Sequence, residues 1–322
     1  MIRLAEFRSS ENGSAWGKPG DQVMPKKPGT VFDGEVRVRY WSGDAFTSVW
    51  RPVEEAVADS IAYNMEAAAR NPAVGYSQYN GASPRTTFYE ELVKAGGDAA
   101  AITNLCNGDC SAGTAAVLKV AGVPVSADMW TGDAPEEMRK TRMLLEIETS
   151  NFAEFVPYLM RGDILHRAGH MAIVLDDGES AVSIPVEATG DVWQRLVPGT
   201  EPGSELRAIP RGARDVQAYL PGVEDDGRVW YITRYNGRRG WTSSKYLQAL
   251  YHVKATNSVY IRQRPYTTAR IITVMERGDV YPATGNYSTD ARGVDWYQVE
   301  VGADASSGFG WVSSKYSIIS YR

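Results

Sequence analysis

The stretch NGDCSAGTAAVLKVAG, residues 107–122, contains one of the two cysteines in a chain of 322 residues. Asp109, Ser111 and Gly113 are short or flexible residues of the kind that begin a helix. The residues that follow recur at helical spacing and predict a helix anchored in a core: Thr114, Val117, Leu118 and Ala121. Cys110 therefore stands at a helix start, where it is a buried filler, a metal ligand or a nucleophile.

The nucleophile reading requires a thiol whose pKa is lowered, and a helix N-terminus with a nearby imidazole does this. Backbone N–H groups at the same helix start, including those of Cys110 and Ser111, are suited to donate to the oxyanion formed on attack. The sequence therefore predicts an activated thiol at Cys110.

Histidine is scarce, and two of the three residues lie in GDILHRAGHMAIVL, residues 162–175. With Cys106 and Cys110, His166 and His170 form C-x3-C and H-x3-H pairs of the kind that bind zinc. About 55 residues separate the two pairs, far more than the short loop of a structural zinc finger. We therefore expect no metal and no cofactor. Of the two histidines, His170 is expected as the base and His166 as a loop or edge residue. Cys106 is expected as a small buried hydrophobe.

The residue that orients His170 is sought on a neighbouring strand. HMAIVL (170–175) and AVSIPVEA (181–188) flank Asp177-Gly178, a strong hairpin signal. Turns about either 177–178 or 178–179 bring Glu187 to the same face as His170, whereas a one-residue slip separates them. The hairpin predicts Glu187 as the orienting carboxylate.

Upstream, helices are predicted at 51–71 and 86–97, the second with glycine at its end, and EVRVRYW is a strand-like piece of the otherwise Gly- and Pro-rich segment 10–50. Together with the strands near 170–188, these elements indicate a mixed α and β domain.

The C-terminal part of the chain contains an internal repeat. GWTSSKYL (240–247) returns as GWVSSKYS (310–317), Trp230-Tyr231 as Trp296-Tyr297, and VWQRLVP (192–198) precedes VYIRQRP (259–265) by 67 residues. Short runs of Val, Ile, Tyr and Trp between turn residues predict two small all-β barrels. The predicted domains are residues 1–190, 191–249 and 250–322, although VWQRLVPG is equally compatible with a last strand of the preceding domain.

The repeats resemble the bacterial SH3-like cell-wall-binding repeat, and the second copy is the clearer match. That resemblance implies peptidoglycan as partner, with four aromatic residues as wall-binding candidates: Trp241, Trp296, Trp311 and Tyr316. Core packing is the competing role for most aromatics of so small a barrel.

Charge is unevenly distributed and supports the division. Residues 1–189 contain 17 Lys and Arg against 26 Asp and Glu, and residues 190–322 contain 17 against 13. The weakly basic C-terminal part has no nucleic-acid-binding motif, so nucleic acid is not expected as a partner. No run of apolar residues is long enough for a membrane span or a signal peptide, which predicts synthesis in the cytosol without membrane insertion.

The first part of the chain resembles the NlpC-type cysteine peptidases and the related CHAP amidohydrolases, through DCSAGTAAVLKVAGV followed by GDILHRAGHMAIVL. A phage-associated branch is similar over GKPGDQ (17–22), VRYW (38–41), NPAVGYSQYN (71–80) and MWTGDAPEEM (129–138). The resemblance implies a papain-like α+β fold with Cys110 as nucleophile and His170 as base. Three further residues are oxyanion or substrate-binding candidates beside Ser111: Tyr76, Gln78 and Asp21.

These resemblances imply an endolysin-like peptidoglycan hydrolase that acts at the wall as a monomer after release from a host cytoplasm. A D,L-endopeptidase is expected, with N-acetylmuramoyl-L-alanine amidase as the alternative. A non-catalytic wall-binding or phage structural protein, and an interbacterial effector delivered by another route, remain as rivals.

Overall fold

A computed structural model describes residues 1–8, 30–32, 34–43, 45–78, 84–151, 155–179, 181–225, 227–302 and 308–321. The chain divides into two units, Met1–Gly178 and Glu179–Arg322. The boundary between the units therefore follows Gly178, whereas the sequence predicted it after residue 190. No helix within the described residues is long and apolar enough to cross a membrane.

The first unit combines helices and strands. Its helices are α1 (Glu55–Arg70), α2 (Thr87–Lys94), α3 (Cys110–Val120) and α4 (Ala134–Thr141). Its strands are β1 (Arg3–Phe7), β2 (Thr30–Phe32), β3 (Val36–Tyr40), β4 (Ser48–Pro52), β5 (Val74–Tyr76), β6 (Cys106–Gly108), β7 (Leu144–Glu148), β8 (Ile164–Arg167) and β9 (His170–Val174). The helices predicted at 51–71, 86–97 and after Asp109 are confirmed, and so is the strand in EVRVRYW.

Seven of these strands form one antiparallel sheet in the order β2-β3-β1-β9-β8-β4-β7, while β5 and β6 pair in parallel. Helix α3 packs closely against β1. A Cβ at Gly113 would lie 2.2 Å from the Phe7 ring, so only glycine permits this approach. The first turn of α3 is thereby held against the centre of the sheet, where β1 and β9 are neighbours.

The second unit consists of strands, here numbered β10 (Ser183–Ala188), β11 (Val192–Arg195), β12 (Glu205–Ile209), β13 (Val216–Asp225), β14 (Arg228–Tyr235), β15 (Arg238–Ser243), β16 (Leu247–Ala249), β17 (Tyr251–Ala255), β18 (Val259–Arg262), β19 (Ile271–Met275), β20 (Val280–Thr289), β21 (Asp295–Glu300), β22 (Phe309–Ser313) and β23 (Ser317–Tyr321). They form two seven-stranded antiparallel sheets.

The two sheets have the same strand order. One is β12-β11-β15-β14-β13-β10-β16 and the other β19-β18-β22-β21-β20-β17-β23. Each strand of the first has its counterpart in the second, and Arg195 pairs with Trp241 as Arg262 pairs with Trp311. We call the two sheets the first and second copy; the first starts at β10, and VWQRLVPG belongs to it.

The predicted hairpin between residues 170–175 and 181–188 is wrong. β9 pairs with β1 and β8 in the first unit, whereas β10 pairs with β13 and β16 in the second. The Asp177-Gly178 signal marks the end of a unit. Long-range pairing outweighed the local turn preference because both strands found partners within their own units.

Candidate active site

Cys110 is the first residue of α3, and Asp109 is its N-cap. The Asp109 Oδ1 atom accepts hydrogen bonds from the N–H of Ser111 at 3.0 Å and of Ala112 at 2.8 Å. This cap satisfies two of the N–H groups that a helix leaves without partners at its start. The predicted helix start is thus confirmed, and Cys110 is held in the first turn of the helix.

The Cys110 thiol lies against the turn that precedes β9. Its Sγ atom is 3.9 Å from the carbonyl oxygen of Gly169, and the backbone N–H of Met171 also acts on it. These two residues flank His170 in the sequence. The nucleophile candidate and the base candidate are therefore brought together by the docking of α3 on the start of β9.

The predicted lowering of the thiol pKa is not what the structure shows. Burial, reinforced by the negative charge of Asp109, raises the pKa of Cys110 to about 12, although backbone N–H groups of Met171, Ser111 and Cys110 oppose the rise. The side chain is only 6% exposed, so the loss of hydration outweighs the helix start. In this state the sulfur carries its proton at neutral pH.

His170 has a carboxylate partner, and it is Glu6. The His170 Nε2 atom lies 2.9 Å from Glu6 Oε2, and the ring of Phe46 stacks on the imidazole at 6.1 Å between centroids. With Nε2 engaged by an acceptor, Nδ1 is the nitrogen left to exchange a proton with a thiol. Cys110, His170 and Glu6 are therefore the candidates for a nucleophile, a base and an orienting group.

Glu6 is fully buried and remains ionised because His170 and Arg39 donate hydrogen bonds to it. Arg39 donates from Nε at 2.7 Å and from Nη2 at 3.1 Å, and Arg37 donates from Nε at 2.7 Å. Burial alone would raise the pKa of Glu6, but the hydrogen bonds from His170 and Arg39 and their charges hold it well below its usual range. An ionised Glu6 stabilises the imidazolium that forms when His170 takes up a proton.

Glu187 is not the orienting residue. It lies on β10 in the second unit, opposite Gln248, and its carboxylate forms an ion pair with Arg214 at 2.9 Å. The register on the other side of β9 explains why Glu6 takes the position: Leu4 faces Val174 and Ala5 faces Ile173. One residue further, Glu6 falls opposite Ala172, two residues from His170 and on the same face.

A buried arginine braces the helix start. Arg85 donates from Nη1 to Asp109 Oδ2 at 2.9 Å and from Nε to Asp128 Oδ1 at 2.9 Å. It also donates to the backbone carbonyl of Asp128. Arg85 thus balances the charge of the capping carboxylate and ties α3 to the segment that follows it.

That segment, residues 126–133, is here called the Trp130 loop. It is also held at a second point. The carbonyl oxygen of Thr131 lies 2.8 Å from His166 Nε2, and its hydroxyl accepts from the Gly169 N–H at 3.3 Å. Gly169 is the residue whose carbonyl meets the Cys110 thiol. Trp130, one residue earlier, is 58% exposed, so this loop presents an aromatic residue to solvent.

His166 is a buried residue of β8, an interior strand between β9 and β4, so the expectation of a loop or edge residue is wrong. Cys106 is buried on β6, with Sγ 3.6 Å from the Ala73 carbonyl, and burial raises the pKa of its thiol to about 12. Within the described ranges, no group of three or more His, Cys, Asp or Glu residues is arranged to hold a metal ion.

Tyr76 is brought to the site from more than thirty residues upstream. The parallel pairing of β5 with β6 sets Tyr76 opposite Gly108, next to the cap. Burial and the neighbouring Cys110 and Asp109 raise the pKa of Tyr76 above its usual range. Gln78 donates to the Tyr76 hydroxyl oxygen at 2.7 Å, so the two form one polar pair.

Ser111 has a different role from the one expected. Its N–H and its hydroxyl both donate to Asp109 Oδ1, at 3.0 Å each, which makes it part of the cap. Cys110, as the first helical residue, has an N–H without a carbonyl partner inside the helix and is the better placed backbone donor. Asp21 lies outside the described residues.

The four aromatic candidates for wall binding fall into two groups. Trp241 and Trp296 are each only 2% exposed and belong to the interior of their sheets, so the prediction of a surface contact is wrong for both. Trp311 is partly buried and Tyr316 is 47% exposed. Small barrels need large interior side chains, and this requirement decides the first pair.

Exposed aromatics recur instead at a position that the sequence analysis did not select. Trp193 on β11 is 46% exposed and Tyr260 on β18 is 50% exposed, and the two strands are counterparts. The repeat that reveals them is VEATGDVWQR against VKATNSVYIR, at the same offset of 67 as VWQRLVP and VYIRQRP. That match also assigns Glu187 to the first copy, as the counterpart of Lys254.

A sequence signal for Glu6 exists as well. RLAEF places one carboxylate among apolar residues, and VRVRY places two arginines on one face of a strand. Glu6 lies directly opposite Arg37 in the β1–β3 pair. Two cations on one buried face require an anion, and this rule, which the sequence analysis did not apply, points to an acidic residue on an adjoining strand.

The sequence model of the family described as "Endolysin-like domain" matches residues 5–181, more than half of the chain. The chain therefore belongs to the endolysin-like domain family. Glu6, Cys110 and His170 all lie inside the matched residues, and Glu187 lies beyond their end. No curated protein shows a significant sequence match.

Solved structures provide more distant similarities. NlpC2 from Trichomonas vaginalis matches with a TM-score of 0.24 and 10% identity over 44% of this chain and 49% of that one. Ly7917 matches with a TM-score of 0.17 and 16% identity over 39% of this chain and 56% of that one. The chain thus spans about half the length of these two proteins.

Proposed function

We propose that this protein is a peptidoglycan hydrolase that cleaves an amide bond of the wall peptide through Cys110. The observation that carries the proposal is the Cys110, His170 and Glu6 constellation at the start of α3, within the endolysin-like residues. The helix-on-sheet arrangement around it supports a papain-like relationship.

The raised pKa of the thiol determines how the reaction starts. Because Cys110 carries its proton at neutral pH, His170 removes that proton as the sulfur attacks the carbonyl carbon. A carbon–sulfur bond forms, and the oxyanion accepts hydrogen bonds from the Cys110 N–H and from the Tyr76 and Gln78 pair. Glu6 stabilises the His170 imidazolium throughout.

The intermediate then collapses with cleavage of the carbon–nitrogen bond, and the imidazolium gives its proton to the leaving amine. Water next attacks the thioester with His170 as base, which releases the new carboxylate and restores the thiol. Each proton therefore passes through one imidazole nitrogen, while Glu6 holds the other.

Trp130 supports a substrate contact next to the thiol. Its ring is exposed on a loop that is tied at Asp128 to Arg85 and at Thr131 to His166 and Gly169. A rigid aromatic face contributes contact area at small cost in conformational entropy. We assign Trp130 to binding of the wall fragment that flanks the scissile bond.

The second unit is proposed to hold the enzyme on the wall. Two copies with the same strand order and exposed aromatics at Trp193 and Tyr260 support SH3-like repeats with peptidoglycan as their partner. Trp311 and Tyr316 remain candidate contacts. Two binding modules on one chain raise the local concentration of the enzyme at its substrate.

Digestion of purified peptidoglycan with mass analysis of the fragments tests the reaction and chooses the bond. A D,L-endopeptidase, which we propose, produces new amino termini on the diamino acid. An amidase produces free lactyl groups and L-alanine termini instead. Absence of any new terminus, with intact wall binding, would support the non-catalytic alternative and contradict the proposed hydrolase.

A further inference from the structure

The second unit contains a cavity of about 200 Å³ where its two copies meet, here called the inter-repeat cavity. Pro282 and Glu300 line it from the second copy. Seven residues line it from the first copy: Ile184, Val186, Ala218, Tyr231, Ser244, Leu247 and Ala249. Both copies therefore contribute to the lining of this cavity.

The cavity is built into the packing of the two copies. Phe309 of the second copy is 3% exposed and lies in a core cluster with Ile184 and Val186 of the first. On the adjacent strand β21, Glu300 pairs with Phe309. The anchoring phenylalanine therefore determines where the Glu300 carboxylate is presented.

The residue at the position of Glu300 differs between the two copies. Trp230 and Trp296 are counterparts, and the same offset of 66 makes Arg234 the counterpart of Glu300. Arg234 pairs with Arg239 across the first copy, where the second has Glu300 and Phe309. One chain therefore has a single carboxylate of this kind, at the face where the second copy meets the first.

Two polar groups in the cavity lack protein partners. Among the residues that the structure describes, neither the Glu300 carboxylate nor the Tyr231 hydroxyl forms a side-chain hydrogen bond or ion pair. Burial raises the pKa of Glu300, and burial together with the charge of Glu300 raises the pKa of Tyr231 to about 12. Both residues are partly buried and are close enough for the charge of Glu300 to act on Tyr231, so a bound cation would interact favourably with both.

We propose that the inter-repeat cavity binds a primary ammonium group at the end of a short aliphatic chain. An ammonium has three N–H donors, and the cavity offers oxygen acceptors at Glu300, Tyr231 and Ser244 among aliphatic side chains that fit methylenes. Pockets for drug-sized ligands occupy roughly 300–1,000 Å³, so this smaller cavity fits one side chain.

In the setting of the proposed function, on which this assignment of a source rests, the ligand is the free side-chain amine of the diamino acid in the wall peptide. Peptides whose amine is consumed in a cross-link would lack the charge. The second unit would then select uncross-linked peptides.

The test is titration of the full chain with Nα-acetyl-lysine methylamide and with the same compound acetylated on Nε, followed by calorimetry or NMR. We expect the free amine to bind at least about tenfold more tightly than the acetylated form. Glu300→Gln should weaken amine binding by a similar factor, whereas Glu224→Gln, an exposed carboxylate of the same unit, should change it less than about twofold.

Equal binding of the two compounds, or unchanged binding by Glu300→Gln, would overturn the proposal. Loss of folding is not a concern for this variant, because replacing a carboxyl whose burial raises its pKa removes an unfavourable charge. Cleavage of peptidoglycan is scored separately on the parent protein. A chain that binds the amine and cuts no wall fragment would contradict the hydrolase and leave this site in place.

Discussion

The two units of this chain position their functional residues by different rules. In the second unit, counterpart residues follow at offsets of 66 to 70, so one copy predicts the other. In the first unit, Glu6, Cys110 and His170 come from β1, α3 and β9 and meet only through sheet order and helix docking. Repetition can be read along a sequence, whereas a site built from distant segments depends on which strands become neighbours.

The largest expected effect tests the first unit directly. Cys110→Ala should lower the cleavage rate by at least about 10³-fold, because the proposed thioester forms on the Cys110 sulfur. Release of wall fragments by purified protein measures this. Cys106→Ala is the matched control, since that thiol is buried on β6, where it donates to the Ala73 carbonyl, and its loss should leave the rate near that of the parent. Equal activity of the two variants would contradict the assignment of the nucleophile.

The second prediction compares the two carboxylates that competed for His170. Glu6→Gln should lower kcat by about 10²-fold or more, because the amide no longer stabilises the imidazolium. Glu187→Gln should change kcat less than about twofold, since Glu187 pairs with Arg214 on another sheet. Steady-state kinetics on soluble wall fragments distinguish them. A larger loss of kcat for Glu187→Gln than for Glu6→Gln would contradict Glu6 as the partner of His170.

Acid stability separates the same pair. The pKa of Glu6 is lowered by folding from an ordinary 4.5, so its contribution is complete above that pH and is lost as pH falls towards the lowered value. At pH 7, Glu6→Gln should reduce the free energy of unfolding by about 3 kcal/mol, because Arg39 loses a buried partner. The difference in the free energy of unfolding between the parent and Glu6→Gln should narrow at pH 3.

Urea unfolding at the two pH values provides the measurement. Glu187→Gln should change the unfolding free energy by less than about 1 kcal/mol, since its ion pair is partly exposed. A gap for Glu6→Gln that is unchanged or wider at pH 3 would show that the Glu6 charge does not stabilise the fold.

The smallest effect concerns substrate contact. Trp130→Ala should raise KM about tenfold with little change in kcat, because the ring adds binding without touching the reacting atoms. Tyr63→Ala, which removes an aromatic residue 49% exposed on α1, serves as the comparison and should leave KM unchanged. A fall in kcat alone would indicate that Trp130 shapes the site and does not bind the substrate.

Much of the first unit was predictable where the signals are local. The helix start at Asp109, the α1 and α2 segments and the proximity of His170 to Cys110 follow from capping, periodicity and scarce residue types. The Asp177-Gly178 hairpin failed for the opposite reason, since a favourable turn of two residues cannot compete with two complete sheets. The thiol pKa also escaped sequence reasoning, because burial outweighed the helix start.

The sequence by itself determined the chemical inventory of this protein: a capped cysteine before an apolar helix, two histidines near a strand, and a repeated β module. Tertiary structure alone decided that Glu6 and not Glu187 faces His170, that Trp241 and Trp296 are interior, and that Glu300 lies in a cavity between the copies. The physical reason is the range of the interactions. Capping and helical periodicity operate within a few residues, whereas strand neighbours and burial are decided by the whole fold.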